Sequence, residues 1–506
     1  LIWTIGIGAG SIIGVAVSIL VLQLLVSENA DTVARHTLVE DTDNGGVCYS
    51  PGCLTMSRTF QRALNPLVDP CIDFEEHVCG RYEGGDHDPI KSKFLRVFIA
   101  AVTSAGNMKV PHMGQNAAQK AAGMFQTCMS VLDGINSQLR ILRDFMSESK
   151  LTLIEPAVSL TTAEAVFDLH VKLAFVYRLS GLISIDPEEP HFLSLTIDES
   201  IEIWKKFIGS TDSRRVLQFY AQHLLLYGLS LTQLYETYGR VIEHHTVIER
   251  AVATVASSAS ARTVTEVKVK DLELAPIPQG AFERAVTQNT RYTREDYVRI
   301  AQVALDLLTV VWRSLEPTKI VVWTSWHVLL ECGRFVDTRL ALAGDVRHYA
   351  LQCAYTVSGV MDSAFEALAI SPEITPNFRK SVGDVTSNIA ACLRQNASRW
   401  FHKISPHTHV LVGFPYGLNS SWGLDARYAA YPESTGSFFA TWVQAARIRS
   451  SQTSPDDFHF RALDTTVRCS RDSSIVAVPA LLLSPPLFAV DGPAAINYGG
   501  LGDLIA

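Results

Sequence analysis

The sequence predicts a mostly α-helical protein, with an apolar helix at its N-terminus and the beginning of an α+β unit near its last residues. Residues 1–26 contain no charged side chain. Apolar residues recur at three- and four-residue steps through most of the chain, which is the period of a helix with one buried face. Alternating strand patterns are scarce before Ser474. We therefore expect helices through most of the chain and a strand near its last residues.

The N-terminal apolar run is long enough to cross a membrane. Residues 1–26 exceed the roughly 20 residues that a spanning helix needs, and Trp3 suits the membrane–water interface. A cleaved signal peptide is the alternative, but its apolar core has only about 7 to 15 residues. We expect a transmembrane signal anchor at 1–26 and a polar stalk at 27–54.

Length and charge limit the number of domains and the class of partner. A chain of 506 residues exceeds one ordinary hydrophobic core, so more than one domain is expected. The net charge of −8 comes without a basic stripe, which argues against a nucleic-acid partner. The sequence does not indicate the oligomeric state.

Individual helices and one strand follow from apolar periodicity and capping residues. Thr293 supplies a capping hydroxyl before one apolar segment. The strand is predicted at Ser474–Leu482, where β-branched residues concentrate before Pro485. The predicted helices cover Leu231–Val252, Tyr297–Trp312, Ile320–Leu342, His348–Ile370 and Phe378–Phe401.

The cysteines indicate disulfides outside the cytosol. Cys48 and Cys53 lie in a loop-like stretch, and Cys71 and Cys79 flank a predicted short helix. These spacings do not match a zinc ribbon, and no Cys-x-x-Cys occurs. The sequons at Asn396 and Asn419 are compatible with a glycosylated ectodomain. We expect a single-pass protein with a large extracellular body.

Several ordered motifs carry a family resemblance. They are Asp69-Pro70-Cys71-Ile72-Asp73-Phe74 with Cys79-Gly80, Val478-Pro479-Ala480, Pro485-Pro486-Leu487-Phe488, and the run from Asn497 to Ala506. Together they resemble the neprilysin and endothelin-converting-enzyme family of membrane zinc metallopeptidases. Tyr82 stands where that family usually has Trp. The resemblance spans residues 48–506, with sharp motifs only near its ends.

The resemblance implies a domain plan and a cofactor. A helical domain at 55–465 would cap a thermolysin-like α+β catalytic domain that begins at 466–506. In the family, the Asn-Tyr-Gly-Gly run is followed directly by the zinc-binding His-Glu-x-x-His, which would come after Ala506. We therefore expect zinc in the complete protein, and we expect the 506 residues alone to be an N-terminal part that binds no catalytic zinc and cleaves nothing.

None of the 15 histidines occurs in a zinc-binding pattern, since no His-Glu-x-x-His is present. His244 and His245 lie in an amphipathic helix, and a structural role is favoured over a metal site. His402, His407 and His409 cluster around a proline, where a solvated loop is favoured. A serine hydrolase has no support either, because Gly-x-Ser-x-Gly does not occur.

The family's substrate contacts carry over only in part. The Asn-Ala pair of the family's substrate-binding edge strand falls at Thr466 and Val467, and one hydroxyl cannot replace both hydrogen bonds of an amide. Lys93 stands where neprilysin-type members carry an Arg that meets a substrate carboxylate. An ammonium supplies charge there but not a bidentate fork. A plain surface lysine is the equal alternative.

The resemblance also implies cysteine pairings. It pairs Cys48 with Cys53, and Cys128 with Cys353. The family partners of Cys71 and Cys79 lie in the C-terminal third, beyond residue 506, so both are expected as unpaired thiols here. The resemblance gives no pairing for Cys332, Cys392 and Cys469.

Two functions of different classes follow. The first is a zinc metalloendopeptidase of the plasma membrane, single-pass type II, that hydrolyses extracellular oligopeptides. The alternative is a catalytically inactive ectodomain of the same fold that binds peptides or proteins, which the Thr466 departure would permit. An unrelated helical receptor ectodomain would not explain the motifs at both ends of the chain.

Overall fold

The computed structural model describes residues 49–81, 89–134, 137–154, 160–179, 181–197, 213–256, 263–274, 277–341, 345–373, 375–396, 409–434, 436–470 and 475–505. The predicted membrane anchor at 1–26 and most of the stalk at 27–54 lie outside these residues. Within the described ranges, no helix has both the length and the apolar character that a bilayer crossing requires.

Helices dominate the first half of the described chain. Local capping explains several of them: Asn116 and Gln119 each accept a backbone hydrogen bond from the other at the start of the fourth helix. A π turn at Leu173–Tyr177 extends the sixth helix. The helices are α1 Pro51–Ala63, α2 Phe74–Cys79, α3 Pro89–Asn107, α4 Ala117–Met129, α5 Leu139–Glu148, α6 Ala163–Lys172, α7 Ser213–Tyr227, α8 Leu231–Ala256 and α9 Ala281–Asn289.

Helices continue in the second half. They are α10 Gln302–Ser314, α11 Pro317–Gly333, α12 Val346–Val360, α13 Asp362–Glu366, α14 Pro376–Asn396, α15 Ser421–Arg427, α16 Phe438–Gln452, α17 Ala494–Asn497 and α18 Asp503–Ile505. A π turn at Tyr498–Gly502 joins the last two. The mostly helical fold class predicted from the sequence is therefore observed.

Two small sheets interrupt the helices. The first has the order β1-β2-β4-β3, with strands β1 Ile183–Pro187, β2 Phe192–Ile197, β3 Val264–Lys268 and β4 Tyr297–Ala301. β2 and β4 run parallel, and the outer pairs are antiparallel. The second sheet has the order β5-β7-β6, with strands β5 His409–Gly413, β6 Arg468–Cys469 and β7 Ile475–Pro479.

Several predicted elements differ from the structure. The prediction of a helix over Tyr297–Trp312 was wrong in its first turn, because residues 297–301 form β4 with Val298 and Ile300 buried. Thr293 does not cap a helix: it donates through its amide and hydroxyl to Asp296 in the turn before β4. The loop predicted around Cys53 is the first turn of α1.

Of the remaining helix predictions, Leu231–Val252 is α8, which extends to Ala256, and Phe378–Phe401 is α14, with residues 397–401 outside the described ranges. Two others were too long. The predicted Ile320–Leu342 is α11, which ends at Gly333, and His348–Ile370 is divided between α12 and α13. The predicted strand at Ser474–Leu482 is β7 followed by a single 3₁₀ turn, Ala480–Leu482. The strands of the first sheet were missed.

One large hydrophobic core spans the helices and the first sheet, and a second core lies under the second sheet. The second core gathers α14, β5, β7 and the last helices, and its buried members are Val382, Val385, Val412, Val476, Val478, Leu482, Leu483, Phe488 and Leu501. Because β5 and α14 precede residue 466, the second sheet and the core beneath it draw on both sides of the predicted domain boundary. That boundary stays a prediction.

Candidate peptide-binding edge

The second sheet has a short strand at its edge, β6, directly after Thr466 and Val467, where the resemblance placed the substrate contacts. β6 pairs antiparallel with β7, with Arg468 opposite Ala477 and Cys469 opposite Val476. The Ser470 amide donates to the Ile475 carbonyl at 2.8 Å, which makes this pair a hydrogen-bonded one. Since bonding alternates along an antiparallel pair, the backbone groups of Cys469 face away from β7. The same alternation, continued to the residue before β6, puts those of Val467 on that side. They form the open edge of the sheet as described.

The predicted contact residues lie at this edge. Thr466 is exposed immediately before β6, and Val467 is half-buried with its side chain against the second core. An edge strand presents unpaired N–H and C=O groups that another extended chain can pair with. The roles of Thr466 and Val467 in substrate binding stay predictions.

Lys93 lies in α3 and is buried, with 5% of its surface exposed. Its Nζ donates to the Ser484 carbonyl at 2.6 Å, just before Pro485. Burial, and secondarily the nearby Arg96, lower the pKa of Lys93 to about 8. The alternative of a plain surface lysine was therefore wrong. Its contact with a substrate carboxylate stays a prediction.

The Asn-Tyr-Gly-Gly run has a structural explanation in the second core. The Asn497 side chain is buried, accepts from the Ala489 amide at 2.9 Å and donates to the Ala489 carbonyl at 2.8 Å. A Cβ on Gly500 would lie 2.4 Å from the Leu487 carbonyl oxygen, so the chain can pass there only as glycine. The same carbonyl accepts from the Leu501 amide at 2.9 Å. These contacts fix the start of the last helix.

The described residues contain no group of three His, Cys, Asp or Glu side chains that could hold a metal ion. Of the paired histidines in α8, His244 is the more buried and His245 is half-buried, which fits structural roles. His409 is exposed at the start of β5, whereas His402 and His407 lie outside the described residues. The donor set for zinc is thus not present among these side chains.

The cysteines agree in part with the implied pairings. Cys128 and Cys353 form a disulfide between α4 and α12. Cys53 is disulfide-bonded, but its expected partner Cys48 lies outside the described residues, as do the side chains of Cys79 and Cys392. The free thiols among the described residues are Cys71 and Cys469, both exposed, and Cys332, which is buried.

Cys469 stands on the open edge, yet its environment does not favour a nucleophile. Burial, and then the Glu189 carboxylate, raise the pKa of the Cys469 thiol. A reactive cysteine requires the opposite shift. The raised pKa therefore argues against Cys469 as a nucleophile.

Of the two sequons, one is described. Asn419 is half-buried, and its Oδ1 accepts from the Phe414 amide at 3.1 Å. The side chain of Asn396 lies outside the described set. Glycosylation at both positions stays a prediction.

A separate cavity of about 560 Å³ lies among α11, α12 and α16. Its lining includes Phe335, Tyr355, Phe438 and Trp442, and none of the predicted contact residues.

Sequence reasoning missed one buried acid that contacts the segment leading to β6. Glu366, at the end of α13, has no exposed surface and accepts from Arg461 and from the Ala462 amide. The available signal was a glutamate inside the apolar run Ala364-Phe365-Glu366-Ala367. Such a buried charge needs partners.

Sequence comparison finds curated relatives of the chain. No protein-family model matches the chain. The chain is 21% identical to Neprilysin-11 of Caenorhabditis elegans over 93% of its own length and 63% of that protein. It is 35% identical to Neprilysin-2 of the same organism over 75 residues, 15% of this chain and 10% of that protein. The chain therefore spans less than two thirds of the curated relatives it matches.

Solved structures agree on the fold. The Mycobacterium tuberculosis zinc metalloprotease Zmp1 in its open state superposes with a TM-score of 0.54 at 14% identity, over 87% of this chain and 73% of that one. PepO from Lactobacillus rhamnosis gives a TM-score of 0.50 at 15% identity, over 82% and 70%. At such identities, the likeness is one of architecture.

Proposed function

Because this chain is a homologue of the neprilysins, we propose that it supplies the peptide-binding edge and the helical cap of a zinc metallopeptidase. The complete protein would be anchored in the plasma membrane as a single-pass type II protein and would hydrolyse extracellular oligopeptides. The observation that carries the proposal is the open edge of β6, at the end of a chain whose fold matches zinc metalloproteases.

The edge strand acts by adding a substrate strand to the sheet. The outward N–H and C=O groups of Val467 and Cys469 would pair with an extended peptide backbone, which gives affinity without regard to side chains. The Thr466 hydroxyl adds one further contact in place of the two that an amide makes. Each such hydrogen bond contributes about 0.5–1.5 kcal/mol net.

Zinc is proposed for the complete protein from its homology to metallopeptidases. The described side chains do not form a ligand set for the metal. We therefore assign no catalytic step to them: their part is to bind the peptide and to fix its direction.

The binding test compares two substitutions at one position in the 506-residue chain. Val467→Pro removes an outward N–H that β7 does not use, whereas Val467→Ala removes the same side chain but keeps the N–H. For a fluorescent heptapeptide of alternating Ala and Phe, we expect the proline variant to bind about tenfold more weakly than the alanine variant, the loss of one hydrogen bond. Fluorescence anisotropy measures both.

Two outcomes would contradict the proposal. Equal affinities of the two variants would show that the Val467 N–H is not used, and an unmodified chain that does not bind the heptapeptide would remove the edge-strand function. A heptapeptide with N-methylated backbone amides serves as the control ligand, because it cannot complete the strand pairing.

A peptide-binding role without hydrolysis is the second candidate, and the single hydroxyl of Thr466 favours it. Mass spectrometry of the heptapeptide incubated with the complete protein separates the two. Cleavage that a zinc chelator abolishes supports the peptidase, and binding with an intact peptide supports the binder.

A further inference from the structure

The segment that leads into β6 is held by one buried carboxylate. Glu366, the last residue of α13, has 0% of its surface exposed. Its Oε1 accepts from Arg461 Nε at 2.9 Å, and its Oε2 accepts from the Ala462 amide at 2.9 Å. Both oxygens face donors, so the arrangement requires a carboxylate and not an amide.

Ala462 passes this restraint to the second sheet. Its amide is bound to Glu366, and its carbonyl accepts from the Leu481 amide at 2.8 Å, just after β7. Ala462 is fully buried and packs with Phe414 and Ala480 in a small core of its own. Glu366 therefore links the helical part to the turn after the central strand.

Asp464 carries the restraint on to the edge strand. Its Oδ2 accepts from the Arg461 amide at 3.0 Å and from Arg468 Nε at 3.1 Å. Arg468 is the first residue of β6. Glu366, Arg461, Asp464 and Arg468 thus form a continuous chain of contacts from α13 to the open edge.

Burial and the nearby charges act in opposite directions on the ionised form of Glu366. Burial raises the pKa of Glu366 to about 7, the Arg461 guanidinium opposes the rise, and Asp362 and Asp464 add to it. The two donors of Arg461 and Ala462 compensate the buried acid only while they stay in place. A displaced 461–464 segment would leave a buried carboxylate without partners, which is costly.

We propose that Glu366 is a positioning residue that fixes the edge strand β6 for peptide binding, through Ala462 and through Asp464. This inference rests on the proposed function of that edge. Glu366 does not touch the peptide: it acts by holding the segment from which β6 begins.

The test uses Glu366→Gln and Asp464→Asn in the 506-residue chain. Glu366→Gln places an NH₂ group against one of two donors, so it frees Ala462 or Arg461. Asp464→Asn leaves Glu366 intact and weakens only the contacts of Arg461 and Arg468. Glu331→Gln is the matched control, because Glu331 also pairs with an arginine, Arg334. Glu331 lies in α11, which packs against α5 to α8 in the helical part of the protein.

Amide hydrogen exchange is the first measurement, and it does not depend on activity. The Leu481 amide reports on Ala462, and the Ser470 amide reports on the β6–β7 pairing. We expect Glu366→Gln to speed exchange at both about tenfold, the loss of one hydrogen bond, and Asp464→Asn to do so at Ser470 alone. Glu331→Gln should leave both unchanged.

Affinity for the fluorescent Ala–Phe heptapeptide is the second measurement. We expect Glu366→Gln and Asp464→Asn to bind it several-fold more weakly than the unmodified chain, with Glu331→Gln unchanged. Unaltered exchange at Leu481 and Ser470 in Glu366→Gln, or faster exchange with unaltered affinity, would overturn the positioning role. An unmodified chain that fails to bind the heptapeptide would instead overturn the proposed function on which that role rests.

Discussion

Gly499 and Gly500 differ in what surrounds them, although they are neighbours in the same turn of helix. Gly500 packs its Cα side against the Leu487 backbone, where an added Cβ would lie 2.4 Å from the carbonyl oxygen and 3.0 Å from the Leu487 Cα. An added Cβ on Gly499 would meet nothing within 4 Å. Gly500 is therefore required by packing, and Gly499 is not.

Alanine substitutions should separate the two positions. Gly500→Ala forces the last helix away from Leu487, and we expect the free energy of unfolding to fall by about 1–3 kcal/mol, the usual effect of overpacking. Gly499→Ala should be neutral or stabilising by up to about 1 kcal/mol, because alanine favours a helix more than glycine does. Urea unfolding of both variants measures this, and an equal loss in both would contradict it.

At the level of residues, motifs were easier to predict than environments. The Asn-Tyr-Gly-Gly run was recognisable in the sequence, but the Asn497 contacts with Ala489 were not. The alternative of a surface position for Lys93 was wrong, because Lys93 is buried. The sequence did not indicate this burial, since its partner, Ser484, is 391 residues away. Pairing across such separations leaves no local pattern in the sequence.

At the level of elements, long helices were predictable and short strands were not. The apolar face of Leu231–Val252 predicted α8, which runs over Leu231–Ala256. The strands of the first sheet have five or six residues each, too few for alternation to stand out among helical patterns. In β4, buried Val298 and Ile300 do alternate with more exposed residues, and that weak signal was overridden by the longer helical pattern after it.

Buried histidines make the helical part sensitive to acid. His170 contacts the Thr324 hydroxyl at 2.8 Å through Nε2, and its buried Nδ1 has no partner among the described residues. His223 donates through Nδ1 to the Phe219 carbonyl, and its buried Nε2 likewise has no described partner. A second proton on either ring would be buried without an acceptor. Burial accordingly lowers the pKa of each to about 4.

The free energy of unfolding should therefore decrease as the pH is lowered from about 6.5 to 4. The unfolded chain takes up these protons near pH 6.5 and the folded chain only near pH 4, so protonation favours unfolding in that window and has no effect above it. Each histidine should account for a loss of about 3 kcal/mol by pH 4. His170→Gln should reduce the loss of stability by the contribution of one histidine, about 3 kcal/mol. His348→Gln, at an exposed position, is the control and should not change the loss.

Urea unfolding at pH 7.5, 5.5 and 4.5 gives this slope for the three proteins. A pH dependence that is the same with and without His170 would contradict the assignment. Stability that rises towards pH 4.5 would contradict the sign of the shift.

At the level of the whole molecule, contacts between residues far apart in the sequence join its elements. The Cys128–Cys353 disulfide closes residues 225 apart and joins α4 to α12. The start of α1 is tied to the loop before α17, where the Gly52 amide donates to the Asp491 carboxylate at 3.1 Å. Lys120 in α4 donates to the carbonyls of Tyr428, Ala429 and Tyr431 at 2.8–3.0 Å.

These contacts set a limit on prediction from sequence. The resemblance implied the disulfide, since the motif order carries over between related chains. It did not imply the contacts of Lys120 or Asp491, because the sequence around a single polar side chain does not indicate its distant partner. The resemblance placed a substrate-binding edge strand at residues 466–469, and β6 covers Arg468–Cys469, whereas the buried acid Glu366 had to be found in the structure.

The measurement that tests the account most directly is amide hydrogen exchange of the 506-residue chain with and without the fluorescent Ala–Phe heptapeptide. If β6 receives an added strand, the outward-facing amides of Val467 and Cys469 exchange more slowly when the peptide is bound. Protection confined to the cavity among α11, α12 and α16, with Val467 and Cys469 unchanged, would contradict the assignment of the sheet edge as the peptide-binding site.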